Sequence, residues 1–144
     1  MYKNEFDNYL KQNKKFKAYM FYGQSIFLVE QYALVIAQSL GNDDEIEKLY
    51  FEEYDFKYTK DKLLQSSLFS SNNIILIKLD KKIPKKEVDS LIEACNLNPD
   101  STLIFACLGD SDFKTMEASF SLKTNSAAVR FFLPTDTEAI KFLE

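Results

Sequence analysis

The sequence of 144 residues contains no histidine and no tryptophan, and it contains only two cysteines. Without histidine, a Cys-His nucleophile is excluded, and a zinc site would have to be built from carboxylates, which is uncommon. Cys95 and Cys107 lie in apolar surroundings. We therefore predict that both are reduced thiols of the core, as in a cytoplasmic protein, and that they form no disulfide with each other.

The sequence also lacks an excess of positive charge, since its net charge is −4 and its pI is about 5.0. A domain that holds DNA by its phosphates needs a basic face, so any role on DNA is expected to be indirect, through other proteins. The lysines cluster in two places, which we interpret as a solvated helix end and a solvated loop. The members are Lys11, Lys14, Lys15 and Lys17, and then Lys81, Lys82, Lys85 and Lys86.

Long hydrophobic runs are missing as well. No stretch approaches the roughly 18 apolar residues of a membrane helix, and the N-terminal region has no signal-peptide core. What the chain does have is short apolar runs that alternate with helical patterns, which predicts one α/β domain with a parallel sheet covered on both faces. We predict strands near 17–22, 48–54, 73–79, 102–108 and 127–132. We predict helices near 2–14, 26–40 and 59–65, a fourth after Pro84 and a fifth carrying Phe113, Met116 and Phe120.

The first strand and helix lack the motif that binds nucleotide phosphates. In G-x-x-x-x-G-K-[S/T], backbone amides hold the phosphate, a lysine neutralises it and a hydroxyl binds Mg²⁺. The segment from Tyr22 to Phe27 has one glycine, no second glycine and no Lys-Ser pair. Asp80 after the third strand is interpreted as a solvated or capping acid, as are Asp110 and Asp112 on either side of Ser111. We therefore predict no nucleotide cofactor, no metal and no catalytic site.

Two other classes of function remain open from these residues. One is a small α/β nucleotide-dependent enzyme, either a cryptic nucleotide hydrolase or a transferase, for which the turn after Gly23 is the discriminating feature. The other is a receiver-like regulatory domain, which requires a cluster of acidic residues at the ends of the first and third strands. The first strand here ends in Phe21 and Tyr22, which disfavours it.

The stretch from Gln65 to Ser71 places two large apolar residues, Leu68 and Phe69, side by side between serines. Neighbours on a helix diverge by about 100°, and neighbours on a strand point to opposite faces, so burying both against one surface is difficult. The pair lies where a short helix is followed by a buried strand. Leu68 and Phe69 either pack the end of the helix against the core or form an anchor that binds a partner protein.

These residues have the spacing of the Q-x-x-L-F peptide with which bacterial proteins enter the groove of the DNA sliding clamp. Ser67 fits the small or acidic position of that peptide, whereas Ser66 departs from its usual leucine. The segment 67–71, followed by an Ile/Leu strand, resembles the same region of the delta subunit of bacterial DNA polymerase III. The segment 21–30 is similar to the "Y-G-x-x-x-F-L-I/V-E" start of that family.

The resemblance implies the RecA-like fold of the AAA+ ATPases, kept without an ATP site. It implies that residues 1–133 form a clamp-binding domain with no enzymatic activity of its own. Residues 134–144, with a capping-box pattern after Pro134, would begin a helix leading to further C-terminal domains. Leu68 and Phe69 would be the wedge that enters the clamp, with Gln65 and Ser67 beside them.

The same resemblance implies the partners of the chain. These would be the sliding clamp, which is the beta subunit, and the other clamp-loader subunits, gamma/tau and delta prime, reached mostly through the C-terminal part. DNA would be contacted only indirectly, and no membrane would be involved.

Overall fold

The computed structural model describes residues 1–65, 72–109 and 112–133. Within them the chain forms a five-stranded sheet in which every neighbouring pair of strands is parallel. The strands are β1 (Ala18–Gly23), β2 (Ile46–Tyr50), β3 (Asn73–Leu79), β4 (Ser101–Cys107) and β5 (Ser126–Phe131). The helices are α1 (Lys3–Lys11), α2 (Ile26–Leu40), α3 (Phe56–Leu64), α4 (Lys85–Leu97) and α5 (Lys114–Glu117). All five predicted strands are present, so the predicted α/β class with a parallel sheet is confirmed.

The strand order, β2-β3-β4-β1-β5, decides between folds that the strand count leaves open. In the flavodoxin-like and receiver-like sheets the first strand lies between the second and the third. Here β1 lies between β4 and β5, with Tyr19 aligned to Ile104 on one side and to Ala127 on the other. The receiver-like alternative is therefore excluded.

Two hydrophobic cores cover the two faces of the sheet, because successive side chains of a strand point in opposite directions. In β1, Ala18 and Met20 face the core that includes residues of α3, α4 and α5. Tyr19 and Phe21 face the core that includes residues of α1 and α2. The predicted core face of α4 is confirmed, since Val88, Leu91, Ile92 and Cys95 are all buried.

Three element boundaries differ from the predictions, each for a local reason. The strand predicted to Tyr54 ends at Tyr50, because the Glu53 carboxylate accepts a hydrogen bond from the Tyr50 amide (3.0 Å) and starts a 3-10 turn. The first helix ends at Lys11, short of the predicted residue 14, and Asn13 takes a left-handed φ of 60°. The third helix starts three residues before Thr59, at Phe56, where the Asp55 carboxylate caps it.

A fourth difference concerns the helix predicted around Phe113, Met116 and Phe120. It is a single turn, Lys114–Glu117, followed by a short 3-10 turn at Leu122–Thr124. Phe113 and Met116 are nevertheless buried, as the pattern indicates.

Both cysteines are free and buried, which confirms their interpretation as core thiols. Burial raises the pKa of the Cys95 thiol to about 12, and it raises the pKa of Cys107 as well. In the part of the chain that the structure describes, no helix is long and apolar enough to cross a membrane. No group of three or more carboxylates or thiols among those residues is placed to hold a metal ion.

Candidate functional site

The end of α3 and the start of β3 lie at the edge of the sheet where the strands begin, which we call the amino-terminal edge. Ser67, Leu68 and Phe69, the predicted wedge and its neighbour, lie outside the described residues. The structure does describe the residues on either side. Gln65 is the exposed C-cap of α3, and Asn72 directly precedes β3. The proposed contact of Leu68 and Phe69 with a partner therefore stays a prediction.

The last turn of α3 is held by side chains from the α4–β4 turn. A helix leaves its final carbonyl groups without partners inside the helix, and these must be satisfied from elsewhere. Asn98 donates from Nδ2 to the carbonyl oxygens of Leu63 (3.0 Å) and Gln65 (3.1 Å). Ser101 donates from Oγ to the Leu63 carbonyl at 2.6 Å. Gln65 is thus attached to the end of α4, and Leu63 is attached to the end of α4 and to the start of β4.

A third buried side chain completes this arrangement from β3. Asn73 donates from Nδ2 to the Lys62 carbonyl (2.6 Å) and to Ser101 Oγ (3.2 Å). The Asn72 amide donates to Glu45 Oε2 at 3.1 Å, which attaches the other end of the segment to the start of β2. We call Asn73, Asn98 and Ser101 the anchor cluster. The cluster and Glu45 hold Gln65 and Asn72, the described residues on either side of positions 66–71, at the amino-terminal edge.

The anchor cluster was not predicted from the sequence. A signal was nevertheless present. Asn73 and Ser101 are polar residues at the first positions of two strongly apolar strands, and both are buried. Buried polar side chains are almost always hydrogen-bonded, so two of them at adjacent strand starts indicate a shared partner.

Replacing Asn98 by alanine should lower the free energy of unfolding by about 1–3 kcal/mol, because it removes a buried amide that donates to the Leu63 and Gln65 carbonyls and accepts a hydrogen bond from the Asp100 amide. The matched control is Asn96→Ala. Asn96 also donates from Nδ2 to two main-chain carbonyls, those of Ile92 and Thr124, but it is exposed to water, which can replace it. Its loss should be within about 0.5 kcal/mol. Urea unfolding of both variants measures the difference, and equal losses would contradict the structural role given to Asn98.

The turn between β1 and α2 is the place where a nucleotide-binding relative would hold phosphate. Gly23 has a φ of +127°, and a Cβ there would lie 2.1 Å from the carbonyl oxygen of Phe131 at the end of β5. The next amide, of Gln24, donates to that same oxygen at 2.8 Å. The glycine therefore makes room for a neighbouring strand. The backbone amide that follows it is already paired within the protein.

The first turn of α2 presents apolar side chains where a phosphate site needs a lysine and a hydroxyl. Ser25 caps the helix by accepting a hydrogen bond from the Leu28 amide (3.2 Å). Ile26 and Phe27 follow and are 51% and 62% exposed. These side chains offer no cation to a triphosphate.

We expect the protein to show no saturable binding of ATP-Mg²⁺, because the turn from Gly23 to Ile26 has no group that could neutralise the phosphates. Isothermal titration calorimetry is the measurement, with a phosphate-loop ATPase as the positive control. A dissociation constant in the micromolar range would contradict this expectation and would favour the nucleotide-dependent enzyme instead.

The remaining acids and lysines mostly have local roles. Asp112 Oδ1 accepts a hydrogen bond from the Lys114 amide (3.0 Å), which confirms the predicted capping role, whereas Asp110 and Ser111 lie outside the described residues. Asp80 is exposed. Lys17 differs from the prediction of a solvated lysine.

Lys17 is half-buried and donates from Nζ to the Pro99 carbonyl at 2.9 Å. Burial lowers the pKa of its ammonium group. The other lysines of the two clusters are exposed, as predicted. Lys17 thus belongs to the packing around the α4–β4 turn.

Comparison with known proteins identifies the family of this chain and a solved structure with a similar fold. The family model described as "DNA polymerase III, delta subunit" matches residues 19–132. Two Helicobacter pylori proteins, from strains J99 and 26695, are 29% and 27% identical over alignments of 162 and 163 positions. Each alignment covers 100% of this chain and 47% of the relative, so the chain spans about half the length of these relatives.

Among solved structures, the Bacillus subtilis DNA clamp loader delta protein (YqeN) is similar, with a TM-score of 0.68. The alignment covers 96% of this chain and 45% of that protein. At 15% sequence identity this likeness shows a shared fold. It agrees with the fold that the sequence resemblance implied.

Proposed function

Since the chain belongs to the family of the delta subunit of DNA polymerase III, we propose that it binds the sliding clamp and helps to open the ring for loading onto primed DNA. The observation that supports this most is the 66–71 segment itself. It carries Leu68 and Phe69 at the Q-x-x-L-F spacing from Gln65, and the residues on either side of it, Gln65 and Asn72, are held by Asn98 and Glu45.

The attachment of the segment matters for the affinity of binding. Ordering a free segment on binding costs conformational entropy, and a segment whose ends are already fixed loses less. The Gln65 carbonyl is held by Asn98, while the Gln65 side chain belongs to an exposed residue. Gln65 and Ser67 would contribute polar contacts at the entrance of a groove that receives the two apolar side chains.

The mechanism of ring opening that we propose is differential binding. If Leu68 and Phe69 fit the clamp better when one interface of the ring is open, they shift the ring toward the open state by that difference in free energy and no more. Burying each side chain contributes roughly 1.5–3 kcal/mol. That contribution is the upper limit of the difference that each side chain can supply between the open and the closed ring.

The rest of the assembly follows from the same proposal. ATP would be bound and hydrolysed by companion subunits, gamma/tau among them, with delta prime completing the loader in the cytoplasm. DNA would contact this chain only indirectly, in keeping with its net charge of −4. No catalytic step is assigned to its residues.

Titration of the protein with the sliding clamp of the same organism tests the proposal directly. Fluorophores on the two sides of one clamp interface report opening as a loss of energy transfer. Saturable binding with a loss of transfer is expected. Absence of binding at micromolar concentrations of both proteins would refute the proposal.

A further inference from the structure

Two lysine-bearing segments meet at the amino-terminal edge of the sheet. One is the end of α1 with the loop that leads into β1, and the other is the 3-10 turn that precedes β5. β1 and β5 are neighbouring strands, and Ala18 is aligned with Ser126 at their starts. The two segments carry five lysines, which we call the basic patch: Lys11, Lys14, Lys15, Lys17 and Lys123.

Hydrogen bonds to Asn125 join the two segments. Lys14 donates from Nζ to Asn125 Oδ1 at 3.0 Å. The Lys17 amide donates to the Asn125 carbonyl oxygen at 2.7 Å. Asn125 lies two residues after Lys123, the exposed middle residue of the 3-10 turn. The Lys14 ammonium group is therefore held against the turn that carries Lys123.

The charges of the basic patch are not neutralised by ion pairs within the described part of the chain. Lys14 and Lys17 donate to uncharged oxygens, those of Asn125 and Pro99. Asp100 offsets part of the charge of Lys17. The ion pairs found among the described residues involve other lysines: Lys3–Asp7, Lys78–Glu30 and Lys85–Asp89. An acidic chain thus concentrates positive charge at one place on its surface.

The basic patch lies at the same edge of the sheet as Gln65. Lys17 donates from Nζ to the Pro99 carbonyl at 2.9 Å, and the preceding residue, Asn98, holds the carbonyl of Gln65. The starts of β3 and β1 are two strand spacings apart, which is roughly 10 Å. A protein contact of ordinary size buries about 800 Å² on each partner, an area roughly 30 Å across. A protein bound at this edge would therefore also reach the patch.

We infer that the basic patch faces an acidic surface of the sliding clamp and speeds the association of the two proteins. The inference rests on the proposed function, and it adds the chemistry of the partner surface, which is carboxylates opposite the lysines. Exposed charges at the rim of an interface act mainly on the association rate. Their attraction begins before contact, at a separation of about one Debye length, whereas exposed pairs contribute little to the stability of the bound complex.

The surroundings of the patch favour an acidic protein over DNA. Proteins that hold single strands combine lysines with exposed aromatic rings on which the bases stack. The ring beneath the Lys14 ammonium group is that of Phe16, which is 2% exposed and cannot stack on a base. The net charge of −4 opposes the approach of a DNA duplex, which is negative along its whole length.

The variant Lys14→Gln/Lys15→Gln/Lys123→Gln tests the inference, because it removes three positive charges and leaves the half-buried Lys17 in place. Stopped-flow mixing with the sliding clamp of the same organism measures the association rate constant. At an ionic strength of about 0.1 M we expect that constant to fall about 3- to 10-fold. At about 1 M, where the Debye length is about 3 Å, the variant should match the unchanged protein. The dissociation rate constant and the midpoint of urea unfolding should not change.

The matched control is Lys81→Gln/Lys82→Gln/Lys86→Gln, which removes the same charge from exposed lysines that follow the end of β3, at the opposite edge of the sheet. This control should associate with the clamp nearly as fast as the unchanged protein. Replacing the three patch lysines by arginine keeps the charge and should preserve the association rate.

The outcomes separate this inference from the proposed function. If the unchanged protein does not bind the clamp, both are wrong. If it binds, but the control slows association as much as the patch variant does, only the net charge matters and the patch has no such role. Slow association of the arginine variant would also overturn the inference. So would a patch variant that associates with the clamp normally but loses affinity for a short DNA duplex, since the patch would then be a DNA contact.

Discussion

Changing Leu68 and Phe69 together to alanine should weaken binding of the sliding clamp by on the order of 100-fold or more, while the melting temperature hardly moves. Truncation of an interface anchor typically costs about 2 kcal/mol or more, and 1.4 kcal/mol corresponds to roughly a factor of ten in affinity. Stability should be retained because two adjacent apolar residues between serines are poorly placed for simultaneous burial.

Leu63→Ala is the matched contrast for this double variant. Leu63 is fully buried, five residues before Leu68. A leucine-to-alanine change in a core costs about 2–5 kcal/mol of folding stability. Leu63→Ala should therefore lower the melting temperature, yet the folded protein should still bind the clamp. If the Leu68/Phe69 variant instead loses stability like Leu63→Ala, the two residues belong to the core, and if it keeps its clamp affinity, they are not the residues that bind the clamp.

Gly23→Ala should destabilise the fold by roughly 3–5 kcal/mol, which is near the upper end for a single substitution. Two costs combine at this position. The φ of +127° disfavours any residue with a Cβ, and the added Cβ would lie 2.1 Å from the Phe131 carbonyl oxygen. Backbone cannot rotate aside as a side chain can, so β1 and β5 would have to separate where they pair, Gly23 opposite Phe131.

Gly109→Ala separates these two costs. Gly109 has a similar φ of +110°, but among the residues that the structure describes a Cβ there would meet only the Asp80 carbonyl oxygen at 3.7 Å, an ordinary contact. This variant should lose only the conformational part, about 1–2 kcal/mol. Denaturant unfolding measures the free energy of unfolding of both variants. If Gly23→Ala fails to fold while Gly109→Ala folds, the result agrees with the prediction. Equal destabilisation of the two would refute the close approach of β5.

Much of the architecture is determined by local patterns in the sequence. The apolar run at 73–79 predicts β3 at its observed bounds, and the spacing of Val88, Leu91 and Cys95 predicts the buried face of α4. Such patterns depend on side chains within one or two turns, which is why they are visible without a structure. The missing phosphate-binding motif is equally a property of the sequence alone.

The candidate binding segment is a mixed case. The sequence supplies Leu68, Phe69 and their spacing from Gln65, since the motif is a short continuous stretch. It does not indicate how that stretch is held. The Asn98 side chain bonds to Gln65, 33 residues earlier, and this contact requires α3 and α4 to end at the same edge of the sheet.

Contacts between distant residues were decided only by the tertiary structure. Five apolar strands in sequence order are compatible with several strand orders. Whether β1 lies beside β4 and β5 depends on the direction of each crossover connection and on the face of the sheet that the connection covers. Gly23 shows the consequence. It lies where a phosphate-binding turn would follow the first strand. The order β2-β3-β4-β1-β5 brings the end of β5 against it, so its lack of a side chain makes room for the carbonyl of Phe131, 108 residues later.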